Sequence, residues 1–114
     1  MPKYERQLSG DLDDFLAHCQ QAILTASMSA SLEESSDIVV DDVRVAVRTF
    51  ERYSAFGGNR VSMNLVAVGS AGRIAVTAIT SGGSQATFWK VNTLGEEAFL
   101  DTLVPAVEGY AERR

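Results

Sequence analysis

Three arginines set four residues apart, Arg44, Arg48 and Arg52, are the part of this sequence best suited to chemistry. They lie in VRVAVRTFERY, where Val43, Val45 and Val47 alternate with Arg44, Ala46 and Arg48. That period of two is a strand with one buried face, so the arginines share the other face, roughly 13 Å apart. Phe50 lies on their side. Guanidinium forks suit carboxylates and phosphates, and an aromatic ring between them adds a stacking surface. If the valines turn towards the core, the arginine face is the uncovered side of a sheet. The plainer reading is a solvated charged face, which antiparallel sheets commonly carry. Arg44, Arg48, Phe50, Arg52 and Trp89 are therefore the candidate binding residues, for a dimer contact or an anionic ligand. On this reading a double change of Arg48 to glutamate and Phe50 to serine leaves the fold intact and disrupts assembly or ligand retention.

Other residue groups weigh less. Ser81-Gly82-Gly83-Ser84 could form a backbone nest for an anion, but a P-loop needs GxxxxGK[ST] opening a helix, and Ala86 to Val91 read as a strand. A hairpin turn is the better account, because glycine supplies the positive φ such turns need. His18 and Cys19 are adjacent on a helix, pointing about 100° apart, so they make a poor nucleophile and base pair. Cys19 falls on the apolar stripe as a buried structural cysteine and His18 at its edge. One histidine and one cysteine do not make a zinc tetrahedron, so no metal site and no cofactor are expected. The acid pairs Asp13-Asp14, Glu33-Glu34 and Glu96-Glu97 read as solvated faces and helix starts. No catalytic residue is assigned, and an enzyme is disfavoured.

Residues 1–114 have the length and the 46% hydrophobic content of a single globular domain. No apolar run reaches the roughly 20 residues that span a bilayer, and the first residues lack a leader's apolar stretch. With one cysteine and no membrane segment, the expected location is cytoplasmic. The net charge of −5 disfavours nucleic acid as a partner. The charge is divided unevenly. Residues 1–41 hold two cations against eight acids, residues 42–92 six against two, and residues 93–114 two against five. The arginine strand thus belongs to a basic middle between acidic ends.

The elements that must position these residues follow from periodicity. Leu12, Phe15, Leu16, Cys19, Ala22, Ile23 and Ala26 form one helical stripe, with Asp11, Asp13 and Asp14 at its positive end and Ser9 or Asp11 as N-cap. Tyr4 to Leu8 reads as a short leading strand, and Ser29 to Ser35 as a weakly patterned one. After the Val43 strand, Val61, Met63, Leu65 and Ala67 alternate, then Ile74, Val76 and Ala78, with glycine turns at residues 55–59 and 69–72. Thr93-Leu94-Gly95-Glu96 has the form of a capping box before a helix through Phe99, Leu100, Leu103, Val107 and Tyr110, which Pro105 should kink or restart. The fold class is α+β: an antiparallel meander of four to six strands covered by an N-terminal and a C-terminal helix, in the order (β)αββββ(β)α. This element order is like that of helix-grip or TATA-binding-protein-like folds. Val43, Val45, Val47, Leu65, Phe15, Leu16, Phe99 and Leu103 form the expected core.

The segments LSGDLDDFL, SASLEESSD, ERYSAFGGNRVSMN, AITSGGSQA and NTLGEEAFLD together resemble an uncharacterised bacterial family, number 6054 in the series of domains of unknown function. The resemblance covers nearly the whole chain and implies no activity, ligand or catalytic residue. The residues themselves favour a non-enzymatic module that self-associates, as a dimer, or binds a protein partner. The alternative is a small-ligand binder with an apolar pocket between the sheet and the C-terminal helix, lined from Met63, Phe88, Trp89, Phe99 and Tyr110.

Overall fold

A computed structural model describes residues 1–53, 59–82 and 89–113, with the backbone alone at 89–93. The expected turn at residues 55–59 and the Gly83-Ser84 pair lie largely or wholly outside the described residues. Strand β1 (Lys3–Ser9) leads into helix α1 (Leu12–Thr25), followed by β2 (Ser31–Val40), β3 (Val43–Tyr53), β4 (Arg60–Ser70) and β5 (Arg73–Gly82). Helices α2 (Trp89–Leu100) and α3 (Val104–Glu112) complete the order. The five strands form one antiparallel sheet in the order β1-β5-β4-β3-β2. The chain therefore starts at one sheet edge, crosses to the other through α1, and returns by a meander.

Local chemistry explains the joints. Asp11 caps α1, its Oδ2 accepting the Asp14 amide at 2.9 Å, which satisfies one of the orphan donors of the first turn. Ala71 (φ 52°) and Gly72 (φ 78°) make the tight turn from β4 to β5, a left-handed pair that a twisted hairpin requires. Asp41 (φ 52°) turns β2 into β3. Pro105 restarts the helix as expected: it sits in the first turn of α3, where a missing N–H removes no hydrogen bond.

One face of the sheet carries the helices. Leu8, Ile74, Val76, Ala78, Val61, Met63, Leu65, Ala67, Ala46 and Phe50 are buried from the strand side. Leu12, Phe15, Leu16, Cys19, Ile23, Phe99, Leu100, Leu103, Val107 and Tyr110 are buried from the helix side. Two polar links lock the helices down. Tyr4 and Arg6 of β1 both donate to Glu108 of α3, and these bonds hold its carboxyl below the usual carboxylate range. Glu96 of α2 accepts the Gly82 amide at 2.8 Å, while its carbonyl accepts the Thr80 hydroxyl at 2.9 Å.

Three expectations are corrected here. The strand expected over Ala86 to Val91 is helical from Trp89 onwards, and its first residues, with Gly83, lie outside the described residues. The place beside β5 is taken by β1, whose ladder pairs Lys3 with Ile79 through Ser9 with Arg73. Glu96 is neither a cap nor solvated, because it is buried on Gly82. The valines of β3 are not core. Val43, Val45 and Val47 are half-buried on the face away from the helices, whereas Ala46 and Phe50 are buried beneath them. The register gives the reason: Ala46, Arg48, Phe50 and Arg52 stand opposite Ala67, Leu65, Met63 and Val61, and all four of these are buried.

Candidate functional site

That inversion relocates the arginine row. Arg44, Arg48, Phe50 and Arg52 lie on the helix-covered face of the sheet, which overturns the expectation that their face is open. Each arginine meets a different neighbour. Arg44 forks onto Asp13 of α1, with Nη2 at 2.9 Å and Nη1 at 3.1 Å from its two oxygens. Arg48 reaches across to Asp37 of β2 at 3.2 Å and donates to the carbonyls of Ser36 and Val47. Long aliphatic stems let such side chains cover apolar surface while their heads reach partners at its margin. Phe50 is fully buried between Leu32 and Met63 in register. Trp89 belongs to helix α2 rather than to a strand, so it does not share a sheet face with the arginines, and its side chain lies outside the described residues.

Arg52 differs from the other two. Its guanidinium carbon stands 4.8 Å from the centre of the Phe99 ring, and its Nε is buried without a hydrogen-bond partner. Among the described residues no carboxylate lies within ion-pair distance of it. Burial alone lowers its pKa, with no acid offsetting the effect. A cation taken partly out of water and left without a counter-charge is costly, and its stack on Phe99 returns only part of that cost.

The open face is the opposite one. Register places its side chains in rows across the strands. Ile38, Val45, Val68, Ala75 and Gln7 form one row, and Ser36, Val47, Val66, Thr77 and Glu5 the next. A third runs Glu34, Thr49, Asn64, Ile79 and Lys3. No residue in these rows is buried, and over β3, β4 and β5 the rows carry no charge. Within these rows charged groups stand only on the two edge strands, and Glu51, Arg60 and Arg73 of the inner strands lie on the same face towards its ends. At the β2 edge Ile38 and Val40 of this face are 52 and 58% exposed. Sequence reasoning missed this surface. Its signal was the apolar character of both faces at Val66 and Val68, which says that two faces are apolar but not which one is covered.

The His18–Cys19 neighbourhood holds no reactive pair. The His18 Nε2–H donates to the Ala106 carbonyl at 3.1 Å, which leaves Nδ1 to accept from Arg113 at 3.4 Å. With Asp14 and Tyr110 these groups line a surface cavity of about 370 Å³ between α1 and α3. Tyr110 donates to Asp14 at 3.2 Å and stands edge-on to Phe15. Cys19 is fully buried, and burial pushes its thiol up to about 12. The folded protein should therefore resist a thiol reagent at neutral pH and react promptly in denaturant, since only the thiolate attacks. Rapid labelling under native conditions would show the stripe to be open. Among the described residues no cluster of three or more histidine, cysteine or acidic side chains is placed to hold a metal ion. None of the described helices is long and apolar enough to cross a membrane.

A five-stranded antiparallel sheet with helices on one face and an uncharged apolar centre on the other defines a small α+β domain with one covered and one open side. The chain belongs to a family of unknown function, DUF6054, whose model matches residues 1–111. No curated protein matches it.

Proposed function

We propose that this domain is a non-enzymatic self-associating module whose dimer contact is the open face of the sheet, with a second copy of the chain as occupant. The observation that carries the reading is the uncharged centre of that face in a chain of net charge −5. Two copies of an acidic chain repel at most of their surfaces, and a neutral patch is where they approach without that cost. The layout has the anatomy of an interface: aliphatic side chains of Val45, Val47, Val66 and Val68 at the centre, charged side chains at the rim. The area suffices. Five strands about 4.8 Å apart and roughly ten residues long at about 3.3 Å each give a face on the order of 800 Å², the share one partner contributes to a standard stable interface. A two-fold axis near Val66 would set each face on its copy. A helix-grip-like architecture fits helices on one face of an antiparallel sheet, and such a likeness assigns no activity.

Sedimentation tests the reading. Wild type should sediment as a dimer, and Val66→Glu, which places like charges near the two-fold, should sediment as a monomer with an unchanged far-ultraviolet spectrum. Val66 is half-buried on the helix-free face, so a polar residue there costs the monomer far less than one in the core. A wild type that stays monomeric at high concentration overturns the reading, and a dimeric Val66→Glu protein overturns the choice of face.

A further inference from the structure

We propose that in the dimer built on the open face the two-fold axis runs along the central strand β4, so that the β2 edge of each copy lies over the β1 edge of the other. This inference rests on the self-association reading and adds the orientation of the second copy. Between two aligned sheets, a two-fold through Val66 runs either along the strands or across them. Along β4, it exchanges the two ends of every row, so that β2 faces β1 and β3 faces β5. Across the strands, it sets each strand on its own copy.

The two ends of the rows differ in charge and in shape, and the differences match. The row Glu34, Thr49, Asn64, Ile79 and Lys3 ends in an acid on β2 and a base on β1. The axis along β4 brings Glu34 of one copy to Lys3 of the other, twice by symmetry. Both side chains are exposed, and their contacts within the chain are slight: Lys3 stands 3.9 Å from Glu5, and Glu34 accepts the adjacent Ser35 amide. The row Ile38, Val45, Val68, Ala75 and Gln7 carries bulk at its β2 end, where Ile38 is 52% exposed. Towards its β1 end lies a hollow of about 300 Å³, lined by Gln7, Val66, Val68, Ala75 and Thr77 among others. The same axis sets Ile38 of one copy over Gln7 of the other and Val45 over Ala75, so bulk meets space. The axis across the strands sets hollow on hollow and Glu5 on Glu5. That leaves atoms without packing partners and places like charges together, and both are unfavourable.

Sedimentation equilibrium at low salt, where charge pairs are least screened, tests the orientation. Lys3→Glu alone and Glu34→Lys alone should each weaken the dimer by about tenfold or more, because every dimer carries the pair twice and reversal turns attraction into repulsion. An equimolar mixture of the two variants should dimerise about as tightly as wild type, since both pairs of the mixed dimer are again of opposite charge. Glu34→Lys is the sharper arm. It makes a chain of net charge −5 less acidic, so general repulsion between copies predicts a tighter dimer where the orientation along β4 predicts a weaker one. Both positions are exposed on edge strands, so the variants should keep the wild-type far-ultraviolet spectrum. The orientation alone is overturned if wild type is a dimer that Val66→Glu dissociates, yet Glu34→Lys holds or tightens it, or the mixture gains nothing over the single variants. A monomeric wild type overturns both the orientation and the reading it rests on.

Discussion

Phe50→Ala is expected to cost about 3–5 kcal/mol of folding stability, the range for truncating a large buried aromatic. Phe50 has no exposed surface and is flanked in register by Leu32 and Met63. A ring enclosed on all sides leaves a cavity that strands on both sides hinder from closing. Small domains have only about 5–15 kcal/mol in total, so the loss should be plain in a urea titration followed by circular dichroism. The same geometry reverses the outcome expected for the double change of Arg48 and Phe50. Serine at position 50 leaves a hydroxyl in an apolar site, and a carboxylate at position 48 faces Asp37 instead of pairing with it. That double variant should unfold rather than dissociate. A midpoint unchanged in Phe50→Ala would return this residue to the solvent side and remove the inversion of β3.

Leu103→Ala is expected to cost about 2–5 kcal/mol. Leu103 is fully buried at the joint between α2 and α3. Its amide donates to the Leu100 carbonyl at 2.9 Å, and its own carbonyl accepts the Val107 amide at 3.0 Å. The side chain thus anchors the point where α2, packed on β4 and β5, hands over to α3, packed on α1 and β1. Losing it should loosen both helices at once, and the transition should broaden if α3 detaches before the sheet unfolds. A melting temperature equal to that of wild type would remove the packing of helices on the sheet as the source of stability.

The contrast with Val66→Glu is instructive. Val66 and Phe50 are both apolar residues on neighbouring strands, yet one change should leave the monomer folded and the other should unfold it. The side of the sheet decides, not the residue type. Hydrophobicity drives burial only where another element arrives to cover the surface.

Much of this architecture was legible in the sequence because it depends on local periodicity. The stripe Leu12, Phe15, Leu16, Cys19 and Ile23 is buried as its spacing requires. Asp11 caps α1 and Pro105 restarts the C-terminal helix, since both effects act within one helical turn. The alternations of β4 and β5 put Met63, Leu65, Ile74 and Val76 inside.

What only the tertiary structure decided is which face of each strand is covered and which residues sit beside each other across the chain. A period of two divides β3 into a valine set and an arginine-phenylalanine set with equal clarity, and nothing local says which one meets a helix. That choice is made by register, through Leu65, Met63 and Val61 standing opposite Arg48, Phe50 and Arg52, and by the crossing of α1 from one edge of the sheet to the other. It also closes the sheet with β1 rather than with the segment after Gly82, because Lys3–Ser9 fills the edge of β5 and leaves Trp89–Leu100 free to be a helix. The same long-range placement gives Arg44 and Arg48 their acids and leaves Arg52 with a phenylalanine and no counter-charge among the described residues. Pairings of this kind bring together residues far apart in the chain, and composition and spacing carry no information about them.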